Sequence, residues 1–145
     1  MEKMLLFTLV TMAFLSSGCK HRTGHAPNEV LQTFVTMFPG ATYVEWSRQI
    51  STFTADFYHD QHEKNVQFDN TGTWLLTRTR MSIYEVPAPV METARKYSNR
   101  RIDDVYLIEQ SNGADAYFMM EYKQETPFST KQINTLADGT ILSAL

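Results

Sequence analysis

The sequence Gly72-Thr73-Trp74-Leu75 recurs 67 residues later as Gly139-Thr140-Ile141-Leu142, and this repetition predicts the fold. Each copy contains a turn signal, Asp69-Asn70-Thr71-Gly72 in the first and Asp138-Gly139 in the second. Three earlier matches follow the same order: Pro27-Asn28-Glu29-Val30 with Pro87-Ala88-Pro89-Val90, Val44-Glu45-Trp46 with Val105-Tyr106-Leu107, and residues 53–57 with 118–122. Four matches in one order indicate two copies of one unit, the second with longer hairpin loops.

Each copy is predicted to form one helix and then four strands, because the spacing of its apolar residues changes from helical to alternating. Apolar residues of the first helix are Val30, Leu31, Phe34, Val35 and Phe38, and Pro39-Gly40 ends it. The second helix uses Val90, Met91, Ala94 and Tyr97. The predicted strands are 43–48, 52–59, 64–68 and 73–79 in copy one, and 102–110, 116–124, 128–134 and 140–144 in copy two.

These patterns predict an α+β domain with a shared antiparallel sheet of up to eight strands and both helices on one face. The repeats are residues 27–80 and 87–145. A half of about 60 residues buries too little surface to be secure alone. Two loosely tethered halves are the alternative, which the short link 81–86 disfavours. The face away from the helices is expected to carry Glu45, Ser47, Thr52, Thr54, Asp56, Lys64 and Gln67.

Composition limits the classes of function. The chain has 145 residues, and its 43% hydrophobic content is that of an ordinary folded domain rather than a disordered chain. A formal net charge of −3, with no basic cluster, argues against nucleic-acid binding. The single cysteine, Cys19, excludes an intramolecular disulfide.

The amino-terminal residues predict export. A 12-residue apolar run at positions 4–15 follows Lys3 and precedes small residues, which is typical of a signal peptide over residues 1–18. The following Cys19 is placed like the lipidated cysteine of a bacterial lipoprotein, although Ser16 stands where a leucine is usual. Residues 19–26 are then a polar tether. An ordinary secreted protein with a free cysteine is the alternative, and in either case the mature chain has no transmembrane helix.

The chain resembles the PepSY-like, beta-lactamase-inhibitor-like family of bacterial envelope lipoproteins. The resemblance is carried by Phe38-Pro39-Gly40-Ala41, by Val44-Glu45-Trp46 and by residues 68–75, and it covers residues 27–145. In the second copy Ser98-Asn99-Arg100-Arg101 replaces the Pro-Gly turn and Leu107 replaces the tryptophan. The resemblance implies a tandem of helix-plus-four-strand units like the beta-lactamase inhibitory protein. It also implies a binding or inhibitory role in the envelope.

Several side chains are candidates for chemistry. The segment His59-Asp60-Gln61-His62-Glu63 offers weak metal ligands, but its histidines are three residues apart in a hairpin rather than four apart on a helix, and a polar hairpin tip explains it better. Glu45, Asp56 and Glu121 lie on or near the predicted exposed face, and a pair of these carboxylates for acid–base catalysis is left open as an alternative. Arg100-Arg101 and Asp103-Asp104 are adjacent charge doublets at the start of a predicted strand and are interpreted as a solvated loop after the second helix. Exposed aromatics that would anchor a protein partner are Tyr43, Tyr58 and Tyr117.

The sequence therefore predicts an exported, lipid-anchored binding protein, a hydrolase inhibitor or adaptor, that is not an enzyme and has no cofactor. Its partner is an unidentified envelope protein, and its contact with the membrane is through the lipid anchor only. We expect it in the periplasm or outer membrane of a Gram-negative bacterium, or secreted. The alternative function is a small-ligand or metal-binding envelope protein that uses His59, His62 and Glu63.

Overall fold

A computed structural model describes residues 25–123, 126 and 131–145. It confirms an α+β fold with two helices and one eight-stranded antiparallel sheet. The elements are α1 (Asn28–Met37), β1 (Thr42–Arg48), β2 (Thr52–His59), β3 (His62–Asp69), β4 (Trp74–Arg80), α2 (Ala88–Tyr97), β5 (Ile102–Gln110), β6 (Tyr117–Tyr122), β7 (Gln132–Thr135) and β8 (Ile141–Ala144). The strands lie in sequence order, each paired with the next.

Both helices begin after a proline. Pro27 precedes α1 with a φ of −58° and Pro87 precedes α2 with a φ of −55°, values that suit a helix start. In α1 only Val30 and Phe34 are buried, and Leu31 and Val35, which the sequence pattern placed with them, are exposed. A ten-residue helix therefore buries a narrow stripe, and neither helix of the described ranges is long enough to cross a bilayer.

The core consists of two clusters. The first joins Val30 and Phe34 to residues of β2 and β3, with Phe68 fully buried. The second joins Val90 and Ala94 to residues of β5, β6 and β7. Trp46 and Trp74 are partly buried and pack against the first cluster. Ala26, the last residue of the expected tether, is buried in the first cluster, so the packed part of the chain includes it.

One row of directly opposed residues connects the clusters across six strands. It consists of Phe57, Lys64, Thr79, Leu107, Phe118 and Thr135. The row begins in the first cluster and ends beside the second, so the core side chains lie on one face of the sheet between β2 and β7. Lys64 belongs to this row and donates to Thr79 Oγ1 at 3.0 Å. The prediction that Lys64 lies on the solvated face is therefore wrong, because strand alternation places it with Val66 and Phe68.

The two repeated turns have the same backbone hydrogen bonds. Gly72 N–H donates to Asp69 O at 3.2 Å, and Gly139 N–H donates to Leu136 O at 2.9 Å. Both glycines have a φ of +86°, and a Cβ on either would lie within 3.0 Å of helix backbone. Gly72 faces Glu29 of α1 and Gly139 faces Pro89 of α2, so each turn packs on the first turn of the helix in its own half.

Candidate functional site

The sheet face opposite the core row is called here the open face. Its central row runs across six strands and consists of Glu45, Asp56, Asn65, Arg78, Ile108 and Tyr117. Thr54 also lies on this face, but it is 6% exposed rather than solvated as predicted. The described parts of β1 to β6 thus present a surface that is mainly polar and charged, with aromatic side chains among the charges.

A cavity of about 570 Å³ lies on the open face over β1 to β5. Its lining includes three carboxylates, two guanidinium groups and three tyrosines: Glu45, Asp56, Glu63, Arg78, Arg80, Tyr43, Tyr58 and Tyr106. The volume is within the range of small-molecule or side-chain binding sites. The mixture of rings and opposite charges suits contact with another polar molecule.

Each arginine of the cavity has carboxylate partners. Arg80 Nη1 donates to Glu63 at 3.0 Å, and Arg80 Nη2 donates to Asp104. These two acceptors raise the pKa of Arg80 above its usual value, and the hydrogen bond to Glu63 is the largest single cause. The pairs are half-exposed, so they orient side chains more than they stabilise the fold.

Arg78 is held from two directions. Its Nη2 donates to Glu121 Oε1 at 3.0 Å, and its guanidinium carbon lies 3.6 Å from the centre of the Tyr106 ring. Such stacking of a guanidinium on an aromatic face is favourable and leaves the edge of the group free to bind a carboxylate. Glu121 lies on β6 and Asp56 on β2, four strand spacings of about 4.8 Å apart, so these two carboxylates do not form a pair.

Glu45 and Asp56 lie directly opposite each other on β1 and β2. Asn65 Nδ2 donates to Asp56 Oδ1 at 2.6 Å, so an amide, not a cation, accompanies this carboxylate. Like charges at directly opposed strand positions are destabilising. This end of the cavity therefore has an excess of negative charge.

The predicted aromatic anchors are only partly brought together. Tyr43 and Tyr58 line the cavity and are 87% and 42% exposed. Tyr43 lies within a bulge of β1, between Thr42 and Glu45, and has a φ of +54°, which is uncommon for a tyrosine. Tyr117 lies at the far end of the central row and does not line the cavity. Tyr106 was not predicted, although its alternation with Val105 and Leu107 was a usable signal.

The predicted metal candidates do not converge. His59 and His62 are opposed at the end of the β2–β3 hairpin, whereas the neighbouring Glu63 faces the open side and binds Arg80. His59 Nε2 lies 3.1 Å from Pro39 O. Among the described residues, no group of three or more histidine, cysteine or acidic side chains is placed to hold a metal. The arrangement gives the metal-binding alternative no support.

His62 instead connects the hairpin to the segment between the two halves. Its Nδ1 lies 2.7 Å from Asp60 O and its Nε2 lies 3.1 Å from Glu85 Oε1. Both neighbours are acceptors, so both bonds form together only when the imidazole carries two protons. The Ser82 backbone N–H and then His62 lower the pKa of Glu85.

The acidic doublet lies in β5, which has the bounds predicted for this strand, so the interpretation of Asp103 and Asp104 as part of a solvated loop is wrong. Asp104 binds Arg80 on β4. The pattern of two adjacent aspartates favoured a solvated loop because aspartate is depleted in strands. A cross-strand ion pair offsets that preference here.

The predicted site of lipid attachment, Cys19, lies outside the described residues.

The comparisons with known proteins support the fold. No protein-family model matches the chain, and no curated protein does. A DUF2874 family protein from Bacteroides ovatus has a TM-score of 0.75 and 26% identity, over 84% of this chain and 88% of its own. A BLIP-like protein from Bacteroides fragilis has a TM-score of 0.74 and 26% identity, over 85% and 89%. At 22% identity, a Bacteroides eggerthii protein described as periplasmic has a TM-score of 0.74, over 84% and 89%.

These structures cover most of the described sheet, and the likeness extends to nearly their whole length. The chain is therefore similar in fold to BLIP-like and DUF2874 proteins of Bacteroides, and one structure of this shape is described as periplasmic.

Proposed function

We propose that the protein is a non-enzymatic protein of the bacterial envelope that binds another envelope protein through its open face. The observation that carries the proposal is the cavity on that face, which is lined by arginine, tyrosine and carboxylate groups. Arginine and tyrosine are enriched among the residues that dominate binding energy at protein interfaces. More specifically, we propose that the protein inhibits a hydrolase or serves as an adaptor in the envelope.

The open face is large enough for such a role. Eight strands spaced by about 4.8 Å give a sheet about 34 Å wide, and strands of about seven residues add a height of about 20–25 Å. The product, about 800 Å², equals one side of a standard protein interface. The neighbours with BLIP-like and periplasmic descriptions support the same location and class.

The placement of the helices is part of the proposal. We infer that the two halves are copies of one helix-plus-four-strand unit and that both helices cover the core face. The core row from Phe57 to Thr135 and the matching contacts of Gly72 and Gly139 support this. A sheet covered on one side leaves its other side for a partner.

Export and lipid attachment complete the proposal. Cys19 is the proposed site of acylation, and the remaining relationship to PepSY-like lipoproteins rests on the motifs of the sequence. Replacement Cys19→Ser should abolish labelling by a fatty-acid analogue and release the protein from the membrane fraction. Unchanged membrane fractionation of the variant would contradict the anchor.

The binding function can be tested by affinity capture from a Bacteroides envelope extract after crosslinking, with identification by mass spectrometry. Asn65→Trp adds a large ring at the centre of the open face, and Val35→Trp adds a similar ring on an exposed position of α1. The wild type and Val35→Trp should retain the same partner, and Asn65→Trp should lose it. Equal retention by all three, or no specific partner, would overturn the proposal.

A further inference from the structure

We infer that the open face binds a basic side chain of its protein partner, a lysine or arginine, between Glu45 and Asp56 and against the rings of Tyr43 and Tyr58. This inference rests on the proposed function and names the partner chemistry of the same site. It follows from the way charges and rings are distributed along the cavity.

Both guanidinium groups of the cavity are already matched by carboxylates, and the ammonium of Lys64, which also borders the cavity, donates to Thr79 Oγ1. Arg80 binds two carboxylates, those of Glu63 and Asp104, and Arg78 binds Glu121. With these partners counted, the cavity and its border carry five carboxylates against two guanidinium groups and Lys64, so the local charge is still negative. An anionic ligand would have to displace existing ion pairs, whereas a cation would not.

The excess charge is concentrated at the β1–β2 end. Glu45 and Asp56 are directly opposed, a placement that puts their Cβ atoms about 5 Å apart. Within residues 25–123, 126 and 131–145, neither carboxylate takes part in an ion pair, and Asp56 accepts only the amide of Asn65. A cation between them would convert a repulsive pair into two attractive ones.

The same face shows how a cation is held. Arg78 lies with its guanidinium against the Tyr106 ring and its edge on Glu121. Glu45 and Asp56, with Tyr43 and Tyr58 beside them at one end, supply the same two kinds of group, a ring and a carboxylate, without an internal guanidinium. A lysine or arginine from outside would complete this second set by the same combination of ion pair and ring contact.

When a partner protein docks, the charge of the side chain that enters the cavity determines whether binding is favourable. A protein that covers the cavity removes water from Glu45 and Asp56, and an uncompensated carboxylate is costly to bury. An apolar or acidic side chain at this point would therefore be rejected, and a basic one would be accepted. The two carboxylates thus act as a specificity filter in addition to any contact energy.

The test uses ¹⁵N-labelled full chain and three capped peptides: Gly-Arg-Arg-Gly, Gly-Gln-Gln-Gly and Gly-Glu-Glu-Gly. We expect the arginine peptide to give saturable shifts of the Asn65 side-chain amide and of the backbone around Tyr58, with no saturation by the others. Glu45→Gln combined with Asp56→Asn should weaken its binding at least about fivefold. The control, Glu92→Gln with Asp115→Asn, makes the same change in net charge at exposed positions away from the cavity.

If the control pair weakens binding equally, the effect is one of net charge and the inference is overturned. Saturable binding of the acidic peptide, or no saturable binding of the arginine peptide, would also overturn it. Glu45→Gln alone provides a second variant should the double variant fold poorly. Capture from envelope extract separates the two proposals. If the double variant retains the partner that Asn65→Trp loses, the open face binds a partner but the basic-residue inference is wrong.

Discussion

Replacement of Gly139 by alanine should destabilise the protein far more than the same change at Gly113. Both glycines have positive φ, +86° and +76°, so both variants carry the cost of a left-handed alanine, about 1–2 kcal/mol. The two positions differ in the space that is available for a Cβ atom. A Cβ at Gly139 would lie 2.7 Å from Pro89 O and 2.8 Å from Thr93 Oγ1, whereas nothing lies within 4 Å of one at Gly113.

The contact at Gly139 adds two further costs. Forcing the turn away from α2 is an overpacking change worth about 1–3 kcal/mol. It also strains the hydrogen bond that Thr93 Oγ1 donates to Gly139 O at 2.9 Å, worth about 1 kcal/mol. The expected loss is therefore about 3–5 kcal/mol for Gly139→Ala and about 1 kcal/mol for Gly113→Ala, once the lower entropy of the unfolded alanine chain is included.

Urea unfolding followed by circular dichroism measures both variants. In thermal unfolding, a domain of this size loses roughly 3–5 °C in Tm per kcal/mol, so Gly139→Ala should lose at least about 10 °C. Gly72→Ala should behave similarly, because its Cβ would lie 2.9 Å from the backbone of Glu29. Equal losses for Gly139→Ala and Gly113→Ala would refute the reasoning that the turn is braced against the helix.

Three other predictions concern the core and the pH dependence. Tyr122 Oη donates to Ala94 O at 2.7 Å, and burial raises the pKa of Tyr122 to about 12. The free energy of unfolding should therefore fall as the pH rises from 10 toward 12. In urea titrations, Tyr122→Phe should lose about 1 kcal/mol at neutral pH and should no longer show that fall. Thr71 and Thr73 donate hydrogen bonds to Asp69, and Thr140 donates to Asp138. These bonds lower the pKa values of the two aspartates below the usual 3.8. The stability that these bonds add is present above pH 3.8 and is lost as the pH falls further. Asp69→Asn combined with Asp138→Asn should therefore make the free energy of unfolding less dependent on pH in acid, and an unchanged dependence would contradict this. Ile133→Ala at a fully buried position should cost about 2–5 kcal/mol in urea unfolding, and a loss below 1 kcal/mol would contradict its place in the second cluster.

Part of the candidate site could be predicted because alternation along a strand is a local property. Alternation in the sequence places Glu45 and Asp56 on the face away from the helices and Glu121 on or near it, and the strand register agrees. The polarity of Lys64 suggests the solvated face, but its spacing of two residues from Val66 places it on the core face. Leu31 and Val35 were misplaced because a ten-residue helix on a sheet buries a narrower stripe than apolar spacing suggests.

The partners of each side chain required the tertiary structure. Arg78 and Glu121 are 43 residues apart, and Arg80 and Asp104 are 24 apart, so no local pattern joins them. Their meeting depends on β4 pairing with β5, which connects the two halves.

The sequence by itself determined the order of the elements, the two turns and the identity of most core residues, because periodicity, proline and glycine act within a few residues. Only the tertiary structure decided which charges are paired and which are left on the open face, because ion pairing depends on register between strands that are distant in the chain. The cavity between Tyr43, Glu45 and Asp56 on one side and Arg78 on the other is a product of that register.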